Sequence, residues 1–297
     1  MALESLMAEP YSPLRYPGGK AKLAEFLVAV LRCNRLHQPH YVEPYAGGAG
    51  AALRLLFEEY VEGITINDAD PRIRCFWQAV TKYNDAFLAL IEDVEVTVEE
   101  WRQQRMIYEK RDLRRILQLG FATFFLNRTA RSGIIHNGGP IGGYDQSGNF
   151  KIDARFNRGQ LIRRIQRIGA YSDRIRVSGD DGLALLKKLN HSPTQAKQTF
   201  VYLDPPYYAK GPELYLNRFT HDQHARLAAY LSTPKNFPWI LTYDNVPAVR
   251  SLYVRFPQIC FSLSYSAYGR REGQELLIHP ELVVIPPSAT HALLVAC

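Results

Sequence analysis

The chain has 297 residues, 46% of them hydrophobic and 22% charged, which excludes a disordered or collagen-like protein and suffices for one large domain or one domain with an insertion. Its 36 Lys+Arg against 29 Asp+Glu give a net charge of +7, a mild pointer to a polyanionic partner. No run of 18 apolar residues is present, which excludes a membrane-spanning helix, and Cys33, Cys75, Cys260 and Cys297 are scattered without a C-x-x-C pair, against a disulfide scaffold or a zinc site.

In chain order, Met1–Pro13 lacks the basic and apolar regions of a secretory signal, so a reducing cytoplasm is expected. Helical spacing of apolar residues follows a Pro-Gly-Gly turn over Ala21–Leu31. His40–Glu43 is a short strand candidate that runs into Pro44-Tyr-Ala-Gly-Gly-Ala-Gly50. Ala51–Tyr60 is helical, and Gly63–Asn67 is a second strand ending at Asp68-Ala-Asp70. Strand, glycine-rich turn, helix, strand and acid within about thirty residues open a doubly wound nucleotide-binding sheet.

From Pro71 to about Leu126 the pattern is helical, with one stripe of Trp77, Val80 and Tyr83 and another of Phe121, Phe124 and Phe125. Asn127–Phe150 is rich in glycine and reads as a loop or long hairpin ending in a short strand, Phe150–Asp153. Leu161–Tyr171 is a basic helix. Strands then alternate with helices again: Ile175–Val177, Leu183–Leu189, Thr199–Leu203, His221–Leu231 and Trp239–Tyr243, with late strands at Ile259–Ser266 and Glu275–His279. The expected fold is therefore α/β, with residues 1–76 and 171–297 forming the sheet domain and residues 77–170 a mostly helical insertion. Residues 101–176 hold 16 Lys+Arg and 5 Asp+Glu, a net of +11 that leaves −4 for the rest. A solvated helix face and a nucleic-acid footprint both account for such a stretch.

The most specific signal is Asp204-Pro205-Pro206-Tyr207, directly after the strand Thr199–Leu203. Two prolines lock φ and remove two N–H donors, which leaves a stiff turn whose carbonyls are free to accept. With the Asp carboxylate and the flat Tyr ring, this makes a rigid set of acceptors beside an aromatic platform, suited to holding an exocyclic amino group. Asp68 is the acid at the end of the second strand, with Asp70 as the competing acid two residues on.

Asp204–Tyr207, with Tyr41-Val-Glu-Pro-Tyr-Ala-Gly-Gly-Ala-Gly50 about 160 residues earlier and Leu14-Arg-Tyr-Pro-Gly-Gly-Lys20 near the start, resembles the Dam-like (D12 class) DNA adenine-N6 methyltransferases in content and order. Phe125-Leu-Asn-Arg128, Arg131-Ser-Gly133 and Glu275-Leu-Leu277 are further likenesses. The resemblance implies a Rossmann-like methyltransferase sheet, S-adenosylmethionine as cofactor and a target-recognition insertion. It implies a cofactor pocket of Tyr16, Lys20, Glu43, Gly47, Gly48, Asp68, Asp180 and Asp204, and transfer by Asp204, Pro205, Pro206 and Tyr207 to N6 of a flipped adenine in double-stranded DNA. The family commonly has Phe after the residue matching Asp180; here it is Asp181. In the insertion, Asn127, Arg128, Arg131 and Tyr144 are candidate target contacts, and Arg163, Arg164 and Arg167, with Arg155 and Arg158, candidate phosphate contacts. No metal and no membrane partner are implied, and a monomer is expected. A cytosine-N4 enzyme is the alternative, although that group more often has Ser in place of Asp204. A cytosine-C5 enzyme is excluded by the lack of a Pro-Cys nucleophile. An inactive DNA-binding relative and a plain oxidoreductase are the readings from other classes.

Overall fold

The computed structural model describes residues 11–15, 23–136, 138–209, 219–265 and 271–286. Seven strands form one sheet: β1 (His40–Glu43), β2 (Gly63–Asn67), β3 (Ile175–Ser178), β4 (Thr199–Leu203), β5 (Trp239–Asp244), β6 (Gln258–Tyr265) and β7 (Arg271–Ile278). Their order is β3-β2-β1-β4-β5-β7-β6. The first five run parallel, and β7 is antiparallel to both β5 and β6. The order reverses between β1 and β4, the topological switch point at which ligands usually bind in such sheets.

The inner parallel strands β2, β4 and β5 are buried along their whole length because both faces are covered, whereas the edge strand β3, Ile-Arg-Val-Ser, buries only Ile175. Successive residues alternate between two cores. Tyr41, Phe200, Tyr202, Ile240 and Leu277 join one core, which includes the helices α1 (Ala24–Cys33), α2 (Gly50–Phe57) and α3 (Pro71–Lys82). Val42, Val201, Leu203, Leu241 and Leu276 join the other, with α8 (Gly182–Asn190) and the helix His221–Leu231.

The insertion consists of α4 (Asn84–Asp93), α5 (Val98–Lys110), α6 (Ile116–Thr129) and α7 (Arg158–Ala170). Phe87, Phe121, Phe124, Phe125, Phe156 and Ile165 belong to the same core as the β1–β4 face. The boundary at residue 77 falls inside α3, which packs on α6. A Cβ on Gly120 would sit 2.6 Å from the Cys75 carbonyl oxygen, so the two helices approach to where only glycine fits.

One expected element is not formed: the stretch expected as a strand, Phe150–Asp153, is a bend followed by a 3-10 turn over Ile152–Arg155. Of the loop or long hairpin expected over Asn127–Phe150, the described residues form a loop with one isolated bridge, Ala130–Pro140. Gln146 holds the loop closed. Its amide donates to the carbonyls of Ile141 (2.8 Å) and Gly143 (2.6 Å) and accepts the N–H of Ile152 (2.8 Å), which occupies the groups a partner strand would have paired. Two short helices, α9 (Pro193–Lys197) and Pro247–Leu252, escape the sequence pattern because each spans less than two turns. The second of them is α11, and His221–Leu231 is α10.

Candidate active site

The carboxyl ends of β1, β2, β3, β4 and β5 carry Glu43, Asp68, Asp180, Asp204 and Asp244, one acid per strand. The loop after β1 bends through Gly47, whose φ of 47° is left-handed, as is Ala49 at the entry to α2 (φ 46°). Three neighbours hold it. Gly47 donates its N–H to Asp68 Oδ2 (3.1 Å), Trp77 donates its indole N–H to the Gly47 carbonyl (2.9 Å), and Ala46 donates its N–H to the Asn67 carbonyl (2.9 Å). Asn67 is fully buried and ties three strand ends together. Its amide donates to the carbonyls of Pro44 (2.8 Å) and Asp180 (3.0 Å) and accepts the N–H of Asp180 (2.9 Å).

Asp68 also accepts the N–H of Asp70 (2.8 Å). Burial raises its carboxyl to about 7, aided by the Asp70 carboxylate and opposed by the two N–H donors. Asp70 has separate work: it caps α3 by accepting the N–H of Arg72 (2.9 Å). Glu43 is buried and accepts from the Tyr41 hydroxyl (2.9 Å) and the Ala52 N–H (3.2 Å), both on Oε1. Burial raises it to about 8 and the facing Asp204 carboxylate adds to this, against the two donors. Asp180 takes the Lys188 ammonium (2.7 Å) and the Ser178 hydroxyl (3.1 Å), and Lys188 foremost holds it below the usual carboxylate range. Asp181 caps α8 by accepting the Ala184 N–H (3.1 Å), and Tyr45 packs against Gly182 where a Cβ would lie 2.4 Å from its ring. Gly48 is buried in the same loop. Tyr16 and Lys20 lie outside the described residues.

Across the switch point, the turn after β4 rests on a polar floor. Asp204 accepts the Thr242 hydroxyl (2.9 Å), which also pairs with the Tyr202 hydroxyl (2.8 Å). Pro205 is buried and Pro206 half-buried. Tyr207 donates its hydroxyl to Glu275 Oε1 (2.6 Å), and the backbone N–H groups of Tyr208 and Ala209 donate to the two oxygens of buried Asp244 (2.9 and 2.7 Å). Asn67, Thr242 and Asp244 carry no motif, but as polar residues toward the carboxyl ends of β2 and β5 they stand where ligands bind in such sheets, whereas Trp77 of α3 reads only as part of an apolar helical stripe.

The candidate DNA residues fall into two groups. Asn127 is buried and grips the backbone before the Tyr16–Lys20 element: it accepts the Arg15 N–H (2.7 Å) and donates to the carbonyls of Arg15 (2.8 Å) and Gly133 (3.1 Å). Gly133 has φ +73°, and a Cβ there would lie 2.7 Å from the Arg15 carbonyl oxygen. Arg128 donates to the Arg155 carbonyl; burial and the guanidinium groups of Arg15, Arg164 and Arg155 lower it to about 9. Arg158 donates to the carbonyls of Ile91, Glu92 and Val94, closing the end of α4. Arg164 donates to the Ser12 carbonyl (3.4 Å). Arg167 donates to the Phe57 carbonyl (3.1 Å) and lies over the Phe57 and Tyr11 rings (4.5 and 5.0 Å), turned onto the sheet domain. Arg131, Arg155, Arg163, Tyr144 and, despite its contacts, Arg167 are exposed. The Tyr144 ring stands edge-on to Trp101 (5.6 Å).

A doubly wound sheet carries acids around a glycine-rich loop, with the Asp204-Pro-Pro-Tyr207 turn on the other side of the switch point, where ligands bind in sheets of this class. The model of the D12 class N6 adenine-specific DNA methyltransferases matches residues 16–265, and the chain belongs to that family. It is a DNA methyltransferase specific for N6 of adenine. No curated protein matches the chain. Among solved structures, an rRNA methyltransferase, aviRa from Streptomyces viridochromogenes, is similar at 14% identity with a TM-score of 0.37, over 91% of this chain and 88% of that one. A second structure of it gives 13% and 0.36, over 90% and 88%. Among the described residues, no His, Cys, Asp and Glu cluster could hold a metal ion, and no helix is long and apolar enough to cross a membrane.

Proposed function

We propose that the chain transfers the methyl group of S-adenosylmethionine to N6 of an adenine flipped out of double-stranded DNA. S-adenosylmethionine supplies a sulfonium-activated methyl group, and the residues around the loop after β1 fit it by their chemistry. The ligand offers ribose hydroxyls and an ammonium as donors, and the loop is bordered by acceptors: Asp68 at the end of β2 for the ribose, and Glu43, whose Oε2 is not used by either of its hydrogen bonds, for the amino-acid part. Gly47 and Gly48 bring backbone close and Asp180 borders the adenine side; Tyr16 and Lys20, outside the described residues, are assigned to the pocket by the likeness of the Leu14–Lys20 element to the family alone.

The transfer side is the turn after β4. Asp204 and the Pro205 carbonyl accept hydrogen bonds from the N6 amino group, while Pro206 keeps the turn stiff. The two acceptors orient the nitrogen lone pair and stabilise the positive charge that develops there. Tyr207 stacks on the flipped base. The N6 proton leaves to the Asp204 side after transfer. The basic insertion grips the duplex, with Arg163 and Arg155 toward phosphates and Arg131 and Tyr144 toward the target.

The observation that carries this reading is the Thr242–Asp204 hydrogen bond (2.9 Å), which aims a carboxylate beside the two prolines at the switch point. Asp204→Ala tests it by single-turnover transfer to unmethylated genomic DNA. The expected loss is about a hundredfold or more with the fold retained. Retention of more than about a tenth of the wild-type rate would contradict the assignment.

A further inference from the structure

Glu275 is fully buried in the middle of β7, followed by the equally buried Leu276 and Leu277. A carboxyl group in such a place costs desolvation that a leucine of similar volume would not. It accepts the hydroxyl of Tyr207 on Oε1 at 2.6 Å, within the range of a charge-assisted hydrogen bond. Burial first, then the carboxylates of Asp204 and Glu275, hold the Tyr207 hydroxyl far above its ordinary pKa, so it remains a donor.

The bond fixes a particular degree of freedom. The hydroxyl lies on the axis through the ring, so pinning it sets the direction in which the ring points. Tyr243, 6.5 Å away at 44°, packs beside the ring and limits rotation about that axis. The other end is held as firmly: Pro205 and Pro206 precede Tyr207, and Asp244 holds the N–H groups of Tyr208 and Ala209. Asp244 and Glu275 are paired residues across the antiparallel β5–β7 ladder, so both anchors of the turn come from one point in the sheet.

We propose that Glu275 is a positioning residue for methyl transfer: by accepting the Tyr207 hydroxyl it fixes the axis of the ring on which the target adenine stacks, with Asp244 beside it holding the backbone that follows. This rests on the reading of Tyr207 as the stacking platform. In this role Glu275 acts on the transfer through Tyr207.

The test compares Tyr207→Ala, Tyr207→Phe, Glu275→Gln, Glu275→Leu and the Tyr207→Phe/Glu275→Leu double variant. Single-turnover methylation of unmethylated genomic DNA, KM for that DNA and affinity for S-adenosylhomocysteine are measured for each. Tyr207→Phe and Glu275→Leu are each expected to slow transfer about tenfold at unchanged S-adenosylhomocysteine affinity. The double variant is expected to be no slower than the slower single, because both remove one bond. Glu275→Gln, which keeps an acceptor, should stay within about threefold of wild type. Multiplying effects in the double variant would overturn the proposal, as would a loss of S-adenosylhomocysteine affinity in Glu275→Leu as large as its loss of rate. If Glu275→Leu does not fold, Tyr207→Phe at the wild-type rate still overturns it. Tyr207→Ala separates the two levels: a wild-type rate there removes the stacking reading and the positioning role with it. An inactive Tyr207→Ala beside a fully active Tyr207→Phe removes the positioning role alone.

Discussion

At the scale of single residues, the site is governed by buried carboxyl groups. Glu43, raised from an ordinary 4.5 to about 8 by burial and the facing Asp204, holds its proton at neutral pH in the ligand-free fold. A carboxyl raised on folding stabilises fully below its unfolded value, and that contribution is lost as pH climbs through the folded value. Half-buried His40 and buried His224, both lowered from 6.5 to about 4 by desolvation first, act in the opposite sense, but only below about 6.5. Between pH 6.5 and 8 the wild type should therefore lose about 1–2 kcal/mol of stability relative to Glu43→Gln. Urea denaturation of both proteins at the two pH values measures this, and parallel behaviour would mean that Glu43 is ionised throughout. The motif acids were legible because each follows a strand candidate directly. Their hydrogen-bond partners were not: Asn67 and Thr242 are ordinary strand residues until β2 and β5 are placed beside β1 and β4.

At the scale of elements, strands were the clearest part of the sequence, because the inner parallel ones β4 and β5 are apolar runs ended by an acid. The Asn127–Phe150 stretch was the least legible, since glycine spacing does not distinguish a hairpin from a loop closed by one glutamine side chain. Asn127 makes the same point. A polar residue beside two arginines suits DNA, yet its buried amide joins the end of α6 to Arg15. Asn127→Ala should therefore destabilise the fold by at least about 2 kcal/mol, because it strips hydrogen bonds from buried backbone groups. Its DNA affinity should keep the wild-type salt dependence. An unchanged denaturation midpoint with a shallower salt slope would instead make Asn127 a DNA-binding residue.

At the scale of the whole molecule, the net of +11 on residues 101–176 was legible, but not how much of it the fold uses itself. Arg158 closes α4 and Arg167 covers Phe57, so these two tie the insertion together and to the sheet. Charge reversal at exposed Arg155 and Arg163 is expected to lower the slope of log K against log salt by about 0.9 for each phosphate that is no longer neutralised. Arg167→Glu should lower stability and leave the slope alone. A salt titration on one duplex decides, and a shallower slope in Arg167→Glu at full stability would return that residue to the DNA face. The central claim, adenine-N6 methylation of DNA by this chain, is tested most directly by nucleoside analysis of unmethylated DNA incubated with the protein and methyl-labelled S-adenosylmethionine. The account predicts label in N6-methyladenine, absent with Asp204→Ala; label in N4-methylcytosine, or none with the folded wild type, would contradict it.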